Sequence, residues 1–278
     1  MTPDWLGAAR RAAQALSSML AERPTIAQRV EETGERGSGG DRTLEIDAAA
    51  ERAVFEELER LHDDGARFTV VSEERGCVNY GDPGVLVIVD PIDGSLNAKR
   101  GMPHHALSIA VAEGDSMADV VFAYVHDLGP EEEWVAWRGR GAELNGQALD
   151  RSIGERRGRD GKLELVGVES ADPRWLRDAA DALVRTSHRL RAMGTIASTL
   201  CQVAAGRLDG MVSLRNCRSV DAAAAQLIVR EAGGHVAFTA FGDPLGAPLE
   251  DLTPLSPVAA ARTAEGLREL SEVPPRRD

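Results

Sequence analysis

The chain has 278 residues, of which 43% are hydrophobic and only 4% aromatic, and its formal net charge is −13. This length and apolar content predict a folded protein with a substantial core, not a disordered chain. A nucleic-acid-binding protein needs a basic surface to displace counterions, and this acidic sequence has no long Lys/Arg stripe, so no nucleic-acid partner is expected. The odd number of cysteines argues against a disulfide framework. With no signal-peptide pattern and no apolar run of bilayer-spanning length, we predict a cytoplasmic protein without a membrane partner.

The first half of the chain is predicted to hold two helices followed by several strands. An amphipathic helix is expected at residues 4–22, because Leu6, Ala9, Ala13, Leu16 and Leu20 form one apolar stripe. A flexible glycine-rich loop at 34–41 precedes a second helix at 45–61. The run VLVIV at 85–89 is apolar throughout, as in a strand buried on both faces. Further strands are predicted at 68–72, 106–112, 120–125 and 134–137, the last three antiparallel.

The second half is predicted to alternate strands and helices. A charged, glycine-bearing segment at 152–162 marks the boundary between two subdomains, residues 1–150 of α+β type and 151–278 of α/β type. Strands are expected at 163–168, 210–214 and 234–238, and helices at 173–185, 195–205 and 221–232. The tail from residue 274 is expected to fray.

The strongest local motif is Asp90-Pro91-Ile92-Asp93-Gly94-Ser95, which follows the buried strand. Carboxylates at the C-terminal end of a buried strand lie where α/β sheets bind ligands, and two acids three residues apart can face one cation. Mg²⁺ prefers oxygen ligands, and the following amides could begin a helix that binds an anion. Asp-Pro and Asp-Gly are also common turn dipeptides, so the hexapeptide alone fits a plain turn equally well.

Three other acidic sites have simple structural interpretations when taken singly. Ser72-Glu73-Glu74 ends a predicted strand and fits a solvated pair of glutamates. Asp221 precedes a predicted helix and fits an N-cap. Asp47 fits an acid in the first turn or on the face of a helix.

Taken together and in order, these motifs resemble the inositol monophosphatase family of metal-dependent, lithium-sensitive phosphatases. The resemblance extends over roughly residues 5–240. Supporting motifs are Gly101-Met102-Pro103, Leu107-Ser108-Ile109-Ala110, Arg138-Gly139-Arg140-Gly141-Ala142 with Asn145-Gly146, Met193-Gly194-Thr195, Ala204-Ala205-Gly206-Arg207-Leu208-Asp209 and Glu231-Ala232-Gly233-Gly234. The resemblance implies a layered α-β-α-β-α sandwich of the sugar phosphatase type, with mixed α+β and α/β character and most metal ligands in the first subdomain.

The resemblance also implies roles for individual residues. The metal ligands would be the side chains of Glu73, Asp90, Asp93 and Asp221 and the carbonyl of Ile92, holding two or three Mg²⁺ ions. Gly94 and Ser95 would bind phosphate through their amides. Asp47 and Ser95 would orient and activate the attacking water, with Glu73 as a further catalytic residue and Glu74 as its partner. Gly194 and Thr195 would line the substrate side.

The substrate end departs from the family pattern. Ser95 replaces the usual Thr, Val220 a frequent Trp, and Leu214 lies near an inositol-contacting Glu of animal enzymes. The arginines Arg191, Arg215 and Arg218 look more like the archaeal members that act on both inositol phosphate and fructose 1,6-bisphosphate. They could hold a second phosphate, or they could be surface arginines.

The expected activity is therefore hydrolysis of a small sugar or polyol phosphate, first of all inositol 1-phosphate. Fructose-1,6-bisphosphatase or dual activity is the alternative within the same chemistry. A catalytically silent relative that binds a phosphorylated ligand is the alternative of another class. Dimers are common in the family, so a homodimer is the assembly that the resemblance suggests.

Overall fold

The computed structural model of the chain describes residues 3–29, 32–36 and 42–274. Two helices cover the outer face of the first large sheet: α1 (Trp5–Ala21) and α3 (Glu45–Asp63), with the short α2 (Ile26–Arg29) between them. Asp4 caps α1 by accepting a hydrogen bond from the Gly7 amide at 3.0 Å. The apolar stripe of α1 packs on α3 and on the sheet, and Trp5 meets Phe68 edge-on.

Two antiparallel strands, β1 (Glu32–Arg36) and β2 (Arg42–Leu44), form a separate ribbon. The larger sheet has eight strands: β3 (Thr69–Ser72), β4 (Gly76–Asn79), β5 (Leu86–Asp93), β6 (Ala106–Ala112), β7 (Val120–Asp127), β8 (Glu132–Trp137), β9 (Gly141–Leu144) and β10 (Gln147–Ala148). Their order is β10-β9-β8-β7-β6-β5-β3-β4. Only the β3–β5 pair among them is parallel, so the C-terminal ends of these two strands meet at one edge.

The second sheet has five strands: β11 (Leu163–Glu169), β12 (Ser187–Arg191), β13 (Gly210–Ser213), β14 (His235–Phe238) and β15 (Val258–Ala261). Their order is β12-β11-β13-β15-β14. The short α4 (Ser95–Arg100) follows β5, and α6 (Ile196–Ala204) and α7 (Ser219–Glu231) lie between the two sheets. The last layer is α5 (Pro173–Thr186) with α8 (Ala264–Ser271). The core is therefore a five-layer α-β-α-β-α sandwich, which confirms the predicted fold class.

Some local predictions differ from the structure. Residues 34–36, expected in a flexible loop, belong to β1, and 37–41 lie outside the described residues. The strand β12, the strand β15 and the helix α8 were not predicted. The proposed boundary at 152–162 falls between the two sheets, but α6 and α7 contact both, so the division into two subdomains stays a prediction. Residues 275–278, within the tail expected to fray, lie outside the described residues.

No helix in the described ranges is long and apolar enough to cross a membrane.

Candidate metal centre

A β-bulge at the end of β5 brings Asp90 and Asp93 to the same side of the strand. Asp90 lies opposite Ser108 and Asp93 opposite Ala106, so three steps along β5 match two along β6. Residues three apart in a regular strand point to opposite faces, and the extra residue of a bulge reverses this alternation. Both carboxylates line one pocket of about 370 Å³. The strand thus continues through Asp93, where a tight turn after Asp90 had been expected.

Glu73 reaches the same pocket because β3 runs parallel to β5 and ends beside it. The turn after β3 is held by Glu51, which is buried and accepts hydrogen bonds from Ser72 Oγ at 2.5 Å and from the Arg75 amide at 3.0 Å. Glu51 lies on α3, four residues after Asp47. It therefore ties the helix carrying Asp47 to the segment carrying Glu73.

Asp221 lies in the first turn of α7. The helix begins at Ser219, so Asp221 is its third residue and not the N-cap of the simple interpretation. Its Oδ2 accepts a hydrogen bond from the Arg218 amide at 2.8 Å. This contact fixes the carboxylate at the end of the helix that faces the pocket.

Two adjoining pockets collect the predicted catalytic residues. Both are lined by Glu73, Asp90, Ile92 and Ser95. The larger pocket also contains Asp93, Gly94, Gly194, Thr195 and Asp221, together with Glu169 and Arg218. The smaller one, of about 260 Å³, adds Asp47, Glu74 and Lys99. The acidic motifs, which are spread along the sequence, thus form one contiguous acidic surface in the fold.

The crowded acids strongly perturb one another. Burial, with the nearby Asp221 and Glu74, raises the pKa of Glu73 to about 7, although Arg218 opposes the shift. Burial and Asp221 raise the pKa of Asp93 to about 8, and burial raises the pKa values of Asp90 and Asp221. A bound divalent cation would favour the charged form of each acid. Their oxygen donors are the type that Mg²⁺ prefers.

A basic side chain lies among these acids. Arg218 Nη1 is 2.6 Å from Glu73 Oε1, and its Nε is 3.5 Å from Asp221 Oδ1. Within the described parts of the chain, no three His, Cys, Asp or Glu side chains already form a group that could hold an ion. The donor types fit a hard divalent cation, whereas the guanidinium bridges two of the predicted ligands.

Asp93 is anchored by the C-terminal half of the chain. Its Oδ2 accepts hydrogen bonds from Thr195 Oγ1 at 2.5 Å and from the Ala197 amide at 2.6 Å. Thr195 is also the N-cap of α6. Thr195 therefore lines the pocket as predicted and, in addition, holds a predicted metal ligand by its side chain.

Glu169 fixes the segment that carries Thr195. This buried acid ends β11 and accepts hydrogen bonds from the Met193 amide at 3.0 Å, the Gly194 amide at 2.9 Å and Thr199 Oγ1 at 2.6 Å. Burial raises its pKa, and the three donors oppose that shift. Glu169 thus positions the substrate side of the pocket.

The Gly94 backbone requires glycine. Its φ is +83°, and an added Cβ would lie 3.0 Å from the His104 carbonyl oxygen and 3.1 Å from that of Gly194. Asn97, one turn into α4, donates from Nδ2 to the His104 and Met193 carbonyls at 2.8 Å and 2.7 Å. The Gly94–Ser95 segment is therefore packed against both halves of the chain.

Of the three arginines considered for a second phosphate, Arg218 lines the larger pocket, whereas Arg191 and Arg215 lie outside both pockets. Arg191 is exposed on β12, and its Nη1 donates to the Leu190 carbonyl. The exposed Arg215 places its guanidinium 5.3 Å from the ring centroid of Trp175. Their substrate role stays a prediction. At the opposite end, Asp47 is 3.5 Å from Lys99 Nζ.

Three residues of the site were missed by the sequence analysis: Glu51, Asn97 and Glu169. Glu51 had a signal, since it shares a helix face with Asp47 at a spacing of four. The sequence also contains a signal for Glu169, because this residue ends an apolar strand as Asp90 does. Nothing in the sequence around Asn97 indicates the backbone carbonyls that it joins.

Comparison with known proteins identifies the family of the chain. The profile described as the inositol monophosphatase family matches residues 3–272. The fructose-1,6-bisphosphatase/inositol-1-monophosphatase of Methanothermobacter thermautotrophicus is 33% identical over 246 residues, covering 84% of this chain and 83% of that protein. The Nus factor SuhB of Haemophilus influenzae is 32% identical over 234 residues, covering 83% and 84%.

A solved structure of an inositol monophosphatase-fructose 1,6-bisphosphatase has a TM-score of 0.81 to this chain at 23% identity. The match covers 97% of this chain and 99% of the other, and shows the same fold. The family profile extends over both sheets and all the acidic segments described above. The chain therefore belongs to the inositol monophosphatase family and is a phosphoric monoester hydrolase.

Proposed function

We propose that the protein is a Mg²⁺-dependent phosphatase of small sugar or polyol phosphates, with inositol 1-phosphate as the first candidate substrate. The observation that carries the proposal is the convergence of Glu73, Asp90, Asp93 and Asp221 on one pocket, with Ser95 beside them. Asp47 lines the adjoining pocket, which shares Glu73, Asp90 and Ser95. Such an arrangement suits attack of water on a phosphate monoester.

The proposed metal ligands are the four acids above and the carbonyl of Ile92, which would hold two or three Mg²⁺ ions. When bound, such ions lower the pKa of a coordinated water and neutralise the leaving oxygen. The chain supplies the positions of the ligands. The bulge sets Asp90 and Asp93 on one side, and the hydrogen bonds from Thr195 and Ala197 to Asp93 both go to Oδ2.

Residues of the chain activate the water and bind the phosphate in this proposal. Asp47 and Ser95 orient and activate the attacking water, with Glu73 contributing to the same step and Glu74 supporting Glu73. The amides of Gly94 and Ser95 bind the phosphate oxygens. In this proposal, Gly94 must be glycine so that the backbone can approach the phosphate closely.

The substrate side is formed by Gly194 and Thr195, held by Glu169. The relative from Methanothermobacter thermautotrophicus is named for both fructose-1,6-bisphosphatase and inositol-1-monophosphatase activity. Dual activity is therefore the alternative within this chemistry, and Arg191 and Arg215 are the candidates for a second phosphate. A homodimer is proposed from the family resemblance alone.

A second candidate function is a binding role without catalysis. It is favoured by the 32% identity to a relative named as a Nus factor. The acids argue for catalysis, because a protein with no need for a cation gains nothing from four crowded carboxylates that repel one another.

The deciding experiment is a panel of phosphate esters assayed with Mg²⁺ and with EDTA. The panel contains inositol 1-phosphate, fructose 1,6-bisphosphate, a nucleotide 3′-phosphate and histidinol phosphate. We expect Mg²⁺-dependent phosphate release, fastest with inositol 1-phosphate. Comparable rates on the first two esters would establish dual activity, and no release from any ester would favour the binding role.

A further inference from the structure

Arg218 is the one cationic side chain among the described residues that line the larger pocket. It lies directly before α7, and its guanidinium bridges Glu73 and Asp221 at the distances given above. The side chain is 21% exposed, so the ion pairs are largely shielded from solvent. The Arg218 amide separately donates to Asp221, which anchors the backbone independently of the guanidinium.

The contact of Arg218 with Glu73 and Asp221 changes the charge balance of the pocket. Five carboxylates line the pocket, the four proposed metal ligands and Glu169, and a buried charge is costly unless it is paired. Burial lowers the pKa of Arg218, but the surrounding acids outweigh it and raise the pKa above its ordinary value; an arginine side chain is in any case charged at ordinary pH. Arg218 therefore neutralises part of the same charge that a divalent cation would neutralise.

We propose that Arg218 is an internal counter-ion that competes with the divalent metal for Glu73 and Asp221. The inference rests on the proposed function, in which these two acids are metal ligands. A metal ion entering between them must displace the guanidinium from at least one carboxylate. Arg218 thus lowers the affinity for metal and keeps the acids in place when metal is scarce.

A role in positioning the metal ligands predicts the opposite change in metal affinity when Arg218 is removed. If Arg218 only held Glu73 and Asp221 in the correct orientation for metal, its removal would weaken metal binding. If Arg218 competes with metal, its removal must strengthen binding while destabilising the protein without metal. A purely structural role would change the melting temperature alone.

The test measures Mn²⁺ binding by electron paramagnetic resonance of free Mn²⁺, with melting temperatures in EDTA and in saturating Mn²⁺. For Arg218→Gln we expect about tenfold tighter Mn²⁺ binding, equivalent to about 1.4 kcal/mol. We expect its melting temperature to fall in EDTA and to recover in Mn²⁺. Arg218→Lys keeps the charge and should lie between the two proteins; it also serves if the Gln variant does not fold.

The matched control is Arg157→Gln. Arg157 also bridges two acids, Glu155 at 2.5 Å and Glu269 at 3.1 Å, and is 24% exposed, but it lies outside the pocket. This variant should melt lower by the same amount in EDTA and in Mn²⁺, with unchanged Mn²⁺ affinity.

The outcomes separate the inference from the proposed function. Mn²⁺ binding that survives Asp93→Asn at full strength would overturn the assigned metal centre. Binding that is lost in Asp93→Asn but is unchanged or weaker in Arg218→Gln would overturn the competition while leaving the metal centre intact. Tighter binding in Arg218→Gln with normal affinity in Arg157→Gln supports it.

Discussion

The acid end of the site, inside the pocket, and its arginine end, which is Arg191 and Arg215 outside the pocket, are built in different ways. Asp90 and Asp93 are buried at the end of a strand that is paired on both sides, and Asp93 accepts hydrogen bonds from Thr195 and Ala197. Arg191 and Arg215 lie on exposed backbone, and neither lines the pocket. The acids proposed to bind metal are therefore fixed by the core, whereas the arginines predicted to select the substrate are exposed and weakly fixed. A fold of this kind can keep one reaction while its substrates change.

The largest expected effect comes from Asp93→Asn at the acid end. The variant should lose at least about 10³-fold in turnover, because metal ligation contributes several kcal/mol to the transition state. The neutral amide can still accept the Thr195 and Ala197 hydrogen bonds, so the fold should remain intact. Phosphate release and circular dichroism melting check both parts. Full activity in this variant would remove Asp93 from the site.

Ser95→Ala tests the hydroxyl that is proposed to orient the attacking water in the same region. Loss of an oriented water should lower kcat by about 10²-fold, within the range for general acid–base groups. KM should change little, since the Ser95 amide, which is proposed to bind phosphate, is retained. Ser95→Thr, which keeps a hydroxyl, is the control and should retain most activity. A kcat equal to that of the unmodified protein would exclude the hydroxyl from the mechanism.

The pH dependence tests whether the acids truly share one site. The pKa values of Glu73 and Asp93 are raised to about 7 and about 8, from ordinary values of 4.5 and 3.8. Because their pKa values are higher in the folded protein, these acids make their full contribution to stability when the pH is below their ordinary pKa values. That contribution declines as the pH rises from about 4 and is gone once the pH has passed the raised values of about 7 and about 8. Without metal, the melting temperature should therefore fall between about pH 4 and pH 8, and saturating Mg²⁺ should suppress the fall.

Metal affinity should rise over the same interval, because the ligands must lose protons to bind. The expected slope is about tenfold per pH unit for each proton released, which titration calorimetry in buffers of different ionisation enthalpy can count. Asp93→Asn, with one acid fewer, should show a shallower stability decrease in EDTA. A melting temperature independent of pH would mean that the carboxylates are not crowded as described.

Thr195→Val tests the link between the two halves of the chain. It removes the hydroxyl that donates to Asp93 and that accepts the Ser198 amide at the N-cap of α6. A lost cap costs about 1 kcal/mol of unfolding free energy. We expect that cost, measured by denaturant unfolding, and a fall in kcat of severalfold. Thr195→Ser keeps both hydrogen bonds and should behave as the unmodified chain; equal losses in both variants would contradict the link.

Arg215→Ala at the other end should have the smallest effect. An exposed ion pair contributes at most about 1 kcal/mol, so KM for fructose 1,6-bisphosphate should rise by no more than about fivefold. KM for inositol 1-phosphate should not change. The control is Arg174→Ala, since this exposed arginine pairs only with Asp172 among the contacts described. A large loss on the monophosphate would mean that the arginine end is as tightly integrated as the acid end.

The sequence indicated which acids come together at the acid end, because these residues follow recognisable strands and helices. The run VLVIV located Asp90, and the first turn of α7 located Asp221. The bulge could not be predicted, because it depends on how β5 aligns with β6, and nothing within the motif itself specifies that register. Glu51, Asn97 and Glu169 are buried polar partners of distant backbone groups, which no local pattern reveals. The edge strand β12 was missed because its residues Ser-His-Arg-Leu-Arg are exposed and mostly polar.

Because α6 and α7 lie between the sheets, the site is completed late during synthesis of the chain. Thr195 and Asp221, carried at the starts of these helices, leave the ribosome long after Glu73, Asp90 and Asp93. A nascent chain that has completed only the first sheet exposes a face that α6 and α7 must later cover. It also lacks the last proposed ligand. We therefore expect catalytic competence to appear in a single late step, after residue 221 has emerged, and to be absent from any shorter nascent chain.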